Sequence, residues 1–374
     1  MSKILITGGP VHAYLDDVKI ITNRFKGGLM ADLADQLNKC GCDVDYLRNK
    51  NGVRPYSPSV VVNNHDGIED YRKFIQANAK NYDAIVLGAA VANLIPVNPI
   101  KGKFPSHNYK PRDVIPIDFT IAPRIIDEAK QYMKKGAHLF GFKLLSGASH
   151  DELISAAYGI LLESKATTVF ANDATNILVV YAVTKERSVI KLDRNDLYKW
   201  IQNCIWDQYY HTIPGKTVTW TDHKEAKHKF ASLHDQYKEK FKPIQGGYVF
   251  GTIAIRSSNG GFYCTVRGKH EMDGQLVYVS SVNHAKLEIE TGGMSLKASL
   301  NAPLLDRMFR LFPDLSAVVH YHEQVDGIPT LGYAPPGTAR DSNRCEAPSF
   351  NIEGHGCYIG IARDGTAITK VNYV

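Results

Sequence analysis

His320-Tyr321-His322 closes the apolar run Leu315-Ser316-Ala317-Val318-Val319. On an extended backbone side chains alternate with period two, so imidazoles at i and i+2 project to one side. A pair so spaced can enter one metal's coordination sphere, and neutral imidazole is a common zinc ligand. His355, in Glu353-Gly354-His355-Gly356 just ahead of the apolar Cys357–Ile361, supplies a third donor. Three histidines on two strand ends leave one position open, which suits a catalytic zinc better than a closed structural one. Two buried histidines at a strand end without metal would look the same, so the pair alone leaves both readings open.

A second chemical spacing lies at the other end of the chain. Thr7-Gly8-Gly9-Pro10 follows the short apolar strand Ile4–Thr7. Ligands of open α/β sheets bind beyond the carboxyl ends of strands, where glycines let backbone N–H groups approach phosphates. A plain tight turn is the alternative. No G-x-G-x-x-G and no Walker sequence is present, so the spacing alone supports neither a dinucleotide fold nor a P-loop.

The elements that must position these residues differ between the halves. Up to about residue 212, strand-like and helix-like segments alternate. A helix carrying Leu29, Leu33 and Leu37 ends at Gly41, and Val44–Leu47 is the next strand. Ala84–Val91 reads as one apolar central strand, and His138–Phe142, Thr168–Ala171 and Ile177–Val183 as further strands. Helices are expected over Asp151–Ser164 and from Asn195. This alternation predicts a doubly wound, Rossmann-like α/β sheet. Pro214-Gly215-Lys216-Thr217 marks a break. Beyond it come one polar helix, short strands between Gly/Asn turns, the helix Ala302–Leu311, the histidine strand, and Ser349–Ile361. That pattern is α+β. The expected domains are therefore 1–213 and 223–374, joined by a linker at 214–222.

Composition narrows the partners. The 374 residues are 44% hydrophobic and 22% charged, as in ordinary globular proteins long enough for two domains. Lys plus Arg exceed Asp plus Glu by 44 to 38, a net +6 that suits small anionic substrates and argues against nucleic acid. No run approaches the roughly 18 apolar residues of a membrane span, so no membrane partner is expected. The six cysteines form no C-x-x-C, which fits reduced thiols in the cytoplasm.

The order of motifs in the first half is more specific than any one of them. Ile4–Pro10 is followed by Asp17–Asn23-Arg24-Phe25-Lys26-Gly27, Ala89-Ala90-Val91-Ala92-Asn93, Lys103–Ser106, Leu139–Leu144 and Val169–Ala174. Across residues 3–212 this series resembles the phosphopantothenoylcysteine synthetase (phosphopantothenate–cysteine ligase) family. The resemblance implies that a carboxylate attacks the α-phosphate of CTP or ATP, assisted by Mg²⁺, to give an acyl-nucleotidylate. An amine then displaces the nucleotide to form an amide. It further implies that Asn23 holds the acyl intermediate, that Lys103 and Lys165 neutralise phosphate charge, and that Gly8, Gly9 and Ala89–Asn93 line the nucleotide. Four positions depart from the family: Phe25-Lys26 stand for Ser-Ser, Asn93 for Asp, and Leu145 for Glu.

Residues 245–365 resemble the class II aldolase/adducin family, through Asn301–His322, Tyr333–Thr338 and Gly354-His355-Gly356. That resemblance implies zinc on His320, His322 and His355, polarising a substrate carbonyl. The family's acid/base Glu reads Asn301, and an amide cannot exchange a proton near neutral pH. The leading expectation is a nucleotide-dependent carboxylate–amine ligase fused to a zinc-binding, aldolase-like domain, assembled as a homo-oligomer. Two rivals stay open: a lyase or epimerase in which only the second domain works, and a nucleotide-sensing scaffold with both sites degenerate.

Overall fold

Ile4, Leu5 and Ile6 are consecutive and wholly buried, as are Ala84, Ile85 and Val86. Only strands covered on both faces bury every successive residue. A computed structural model describes residues 1–215, 220–292 and 296–369. Its first sheet contains β1 (Lys3–Gly8), β2 (Asp43–Asn49), β3 (Val61–His65), β4 (Ala84–Leu87), β5 (His138–Leu145), β6 (Thr168–Asp173), β7 (Asn176–Thr184) and β8 (Val189–Asp193). The spatial order is β8-β7-β6-β5-β4-β1-β2-β3. Strands β1 to β6 run parallel, and β7 is antiparallel to β6. Read from β3 to β6 the order is 3-2-1-4-5-6, the doubly wound order whose direction of winding reverses between β1 and β4. Helices α1 (Gly28–Lys39), α2 (Gly67–Asn78), α3 (Ile125–Tyr132) and α4 (His150–Ser164) connect these strands, and α5 (Leu197–Trp206) follows them.

The run expected as a single strand over Ala84–Val91 is broken. Strand β4 stops at Leu87, and the chain passes close to α1 at Gly88, where a Cβ would lie 2.0 Å from Met30 Sδ. Ala90–Val91 turns away and pairs in parallel with Pro10–Val11 in a separate two-residue ribbon.

The second sheet contains β9 (His211–Pro214), β10 (Thr252–Arg256), β11 (Phe262–Thr265), β12 (Leu276–Asn283), β13 (Glu288–Gly292), β14 (Leu315–Tyr321), β15 (Thr330–Leu331), β16 (Phe350–Ile352) and β17 (Gly356–Ala362). Their order is β9-β13-β12-β11-β10-β14-β17-β16-β15. Alternation divides the side chains between two cores. Ala254, Phe262, Val318 and Tyr358 pack with Leu304, Leu305 and Met308 of α7 (Ala302–Leu311). Ile253, Tyr263, Val319 and Ile359 pack with Ala226, Phe230 and Leu233 of α6 (Trp220–Tyr237). The short α8 (Ala339–Ser342) precedes β16.

By contacts the chain falls into Met1–Lys185 with Lys191–Ile205, and Glu186–Ile190 with Trp206–Val374. The second unit thus begins before the expected linker, since β9 pairs with β13 over His211–Pro214. Within that linker, 216–219 lie outside the described residues, and α6 has begun by Trp220. Among the described residues no helix is long and apolar enough to cross a membrane.

Candidate functional site

Two sites are built, one in each unit. In the first, the turn after β1 packs tightly. Gly8 and Gly9 are buried, and Gly9 has φ +80°. Gly27, just ahead of α1, has φ +88°, and a Cβ there would lie 2.2 Å from Gly9 N. The start of α1 is thereby pressed against the turn, at the winding reversal between β1 and β4. The neighbouring ribbon is tied on by Ala90 N–H donating to Gly9 O at 2.9 Å and Ala92 N–H to Val11 O at 2.8 Å. Asn23 Nδ2 donates to Val91 O at 2.9 Å. The structure therefore brings together Gly8, Gly9, Asn23, Ala89, Ala90, Val91 and Ala92. Exposed Asn93 continues the same strip, its backbone oxygen accepting from Ala122 N–H at 2.9 Å.

Lys103 is exposed, on a loop anchored from both sides of it. Gly102 N–H donates to Asp17 Oδ2 at 3.0 Å, and Phe104 N–H to Asp16 Oδ2 at 2.9 Å. Asp16 is buried and also accepts from Lys19 Nζ at 2.9 Å. Burial alone would raise its carboxyl, but the Phe104 N–H and the Lys19 contacts outweigh burial and hold it well below the ordinary carboxylate range. Sequence reading passed over Asp16 because it looks like one more acid in a polar loop. Its burial is a tertiary fact.

Lys165 is not at this site. It caps the end of α4 and precedes β6, whereas Gly8 ends β1, and the two strands run parallel. It therefore sits at the amino edge of the sheet, roughly 20 Å of strand away from the carboxyl edge. The half-buried Lys143, near the carboxyl end of β5, is a basic side chain on that edge. Its sequence signal is Gly141-Phe142-Lys143, within the Leu139–Leu144 motif.

In the second unit His320 belongs to the α7 face of β14, like Val318, and pairs in register with Thr252. His322 is one residue beyond the strand, and His355 lies in the turn between β16 and β17. Ligand atoms of the three all lie within 4.8 Å of one another. His320 Nδ1 donates to Cys357 O at 2.8 Å, which leaves Nε2 as a free lone pair. His355 Nδ1 is 2.6 Å from Ser188 Oγ, and its buried Nε2 has no partner among the described residues. His322 stacks on Phe250, and His320 on Tyr358. Burial, the largest influence, lowers His320 to about 4. Burial and the neighbouring histidines hold His322 and His355 well below the ordinary histidine value. Three neutral donors, one with an orphaned nitrogen, fit a divalent cation that prefers imidazole.

Among the described residues, no carboxylate belongs to this cluster. Glu323 is exposed and paired with Lys240, and Glu346 is exposed. Asn301, just ahead of α7, donates from Nδ2 to Thr252 Oγ1 at 3.4 Å, while its buried Oδ1 has no partner among the described residues. The site so arranged can hold a cation and offer a neutral amide, but it has no acid within the set.

Fold and crevice together define a doubly wound α/β domain of Rossmann type, followed by a mixed-sheet α+β unit with a histidine centre. Residues 1–201 match the family described as "DNA/pantothenate metabolism flavoprotein C-terminal domain", and the chain belongs to that family. A curated relative, the "Coenzyme A biosynthesis bifunctional protein CoaBC" of Thermococcus kodakarensis, is 30% identical over 175 residues. The match covers 46% of this chain and 41% of the relative, so the chain spans less than half of that protein. The solved "DNA/Pantothenate Metabolism Flavoprotein from Streptococcus pneumoniae" is 22% identical, covering 54% of this chain and 97% of that one, with a TM-score of 0.48. An "aldolase II superfamily protein from Pseudomonas syringae" is 15% identical, covering 38% and 68%, with a TM-score of 0.30. The family assignment rests on the sequence match, not on these superpositions.

Proposed function

We propose that the first unit joins a carboxylate to an amine at the expense of CTP or ATP, as the phosphopantothenoylcysteine synthetase resemblance implies. Family membership over residues 1–201, with the ligase motifs in order along it, is the observation that carries this reading. The carboxylate oxygen would bond to the α-phosphorus as pyrophosphate departs. The amine nitrogen would then bond to the acyl carbon as the nucleoside monophosphate leaves with the C–O electron pair. Mg²⁺, when bound with the nucleotide, supplies charge neutralisation on the phosphates. The backbone of Gly8, Gly9 and the first turn of α1 would meet the phosphates, and Lys103 would balance the charge that develops on them. Asn23 has one amide hydrogen engaged by Val91 O, so its carbonyl and second N–H are available to an acyl group. Lys143 takes the place in this scheme that sequence reading gave to Lys165.

For the second unit we propose zinc on His320, His322 and His355, in a class II aldolase-like centre. Bound zinc would supply a Lewis acid for a substrate carbonyl or hydroxyl. With Asn301 where the acid is expected, the centre would bind and polarise more readily than it would cleave carbon–carbon bonds. Small-molecule acids and amines are the partners of this reading. It places the chain in the cytoplasm, where thiols such as its six free cysteines stay reduced.

Two measurements on the full chain decide between the ligase, a lyase working through the second unit alone, and a scaffold with neither activity. They are nucleotide-dependent pyrophosphate release, with phosphopantothenate and cysteine as first substrates, and zinc content per chain. Pyrophosphate release with CTP or ATP supports the ligase. Zinc without pyrophosphate release favours the lyase, and neither favours the scaffold.

A further inference from the structure

The turn that carries His355 is flanked by two glycines, and each makes room for a different strand of chain. A Cβ on Gly356 would lie 2.1 Å from Tyr321 O and 2.7 Å from His322 Cα, so this glycine lets the His320–His322 segment close on the turn. A Cβ on Gly354 would lie 2.2 Å from Val189 O, so the second glycine admits residues 188–190. Val189 N–H donates to Gly354 O at 2.8 Å, fixing that segment in register. One residue earlier, wholly buried Ser188 meets His355 Nδ1 at 2.6 Å. Residues 186–190 belong by contacts to the second unit, although they are separated from the rest of it in sequence.

An imidazole can ligate through Nε2 only if its neutral proton sits on Nδ1, and the partner of Nδ1 decides this. For His320 a backbone carbonyl, which can only accept, settles the tautomer. For His355 the partner of Nδ1 among the described residues is the hydroxyl of Ser188, which can accept its proton. Its Nε2, buried and unpartnered, is then a bare lone pair within the cluster.

We propose that Ser188 is a positioning residue of the histidine centre, accepting the Nδ1 proton of His355 so that Nε2 faces the cation. The Val189–Gly354 contact holds the two segments together. This rests on the zinc reading above, and the experiment separates the two. The full chain, freed of metal with a chelator, is titrated with zinc against a chromophoric competitor. Wild type is compared with Ser188→Ala, Ser188→Thr and His355→Ala, with thermal unfolding of each metal-free form alongside. Ser188→Ala should bind zinc about 10–100-fold more weakly, the usual effect of removing a ligand's outer partner. Its metal-free unfolding should stay near wild type, and Ser188→Thr, which keeps the hydroxyl, should recover most of the affinity. If wild type and His355→Ala bind no zinc, the zinc reading fails and the inference falls with it. If His355→Ala loses zinc while Ser188→Ala binds as wild type does, zinc stands and the role of Ser188 is overturned. Should Ser188→Ala not fold, ¹⁵N spectra of histidine-labelled, metal-free wild type decide. A proton on Nδ1 of His355 supports the role, and a proton on Nε2 overturns it.

Discussion

Burial sets the protonation of the three histidines. Free imidazole protonates below about pH 6.5, and zinc held by solvent-exposed histidines would be lost there. With His320 lowered to about 4 and its two neighbours also held well below the ordinary histidine value, proton competition in the folded chain begins well below that. The same shift has a cost without metal. Each folded-state value lies below the unfolded one, so the unfolded chain binds more protons as pH falls from about 6.5 towards 4. Stability is lost in that window and is fully present above it. His320 alone should cost the metal-free chain about 2 kcal/mol at pH 5, from 1.5 pH units at 1.36 kcal/mol each. Denaturant unfolding of wild type and His320→Gln at pH 7 and pH 5 checks this. The variant should lose less stability between the two, and equal losses would mean that His320 titrates freely. The lysines give a second contrast. Lys103→Ala should lose about 2–4 kcal/mol of transition-state stabilisation in pyrophosphate release, the range of a removed charge-stabilising donor. Lys165→Ala, at the wrong edge of the sheet, should match wild type. A loss at Lys165 equal to that at Lys103 would reject the placement. Sequence showed the types of these lysines, but their edge depends on which end of a parallel strand each one adjoins.

At the level of elements, the start of α1 is tightly constrained by the turn after β1. Gly27 and Gly28 are adjacent and look alike in sequence, yet only Gly27 has positive φ and a neighbour inside contact distance. Gly27→Ala should cost at least about 2 kcal/mol of stability, given the strained backbone and a clash with Gly9 that side-chain motion cannot relieve. It should also abolish nucleotide binding. Gly28→Ala meets open space in the first turn and should be neutral or stabilising by up to about 1 kcal/mol. Chemical denaturation of both variants tests the pair, and equal effects would show that the turn is not what holds Gly27. Much of the rest was legible at this scale. Helix α7 spans the expected Ala302–Leu311, because Pro303 near its start and a sharply apolar face mark it locally. Strand β3 and helices α2 and α3 carry no clear pattern in the sequence. Val61-Val62-Asn63-Asn64-His65 is half polar, and α2 and α3 each bury only a few side chains. The pairing of β9 with β13, more than seventy residues apart, left no local trace.

For the whole molecule, the change in pattern near residue 213 revealed two units. It could not reveal that residues 186–190 belong with the second, because five residues carry no period. Assembly is the remaining question at this scale. Both family resemblances imply a homo-oligomer, and the first unit offers a surface for one. Leu94–Pro96 and Phe119–Ile121 form an antiparallel two-stranded ribbon outside the main sheet. Leu94 pairs with Ile121, and Phe119 is two residues from it, so all three share one face of the ribbon, and all are exposed. An isolated two-stranded ribbon is marginal in water, and an apolar face on it marks a contact surface. Light scattering at micromolar concentration should therefore return a multiple of 41.6 kDa. Ile121→Asp with Phe119→Asp should lower that multiple without changing zinc content, since neither residue lies in the unit that holds the histidines. A wild-type mass of 41.6 kDa would contradict the assembly. An unchanged multiple in the double variant would keep the oligomer but move its interface away from the ribbon.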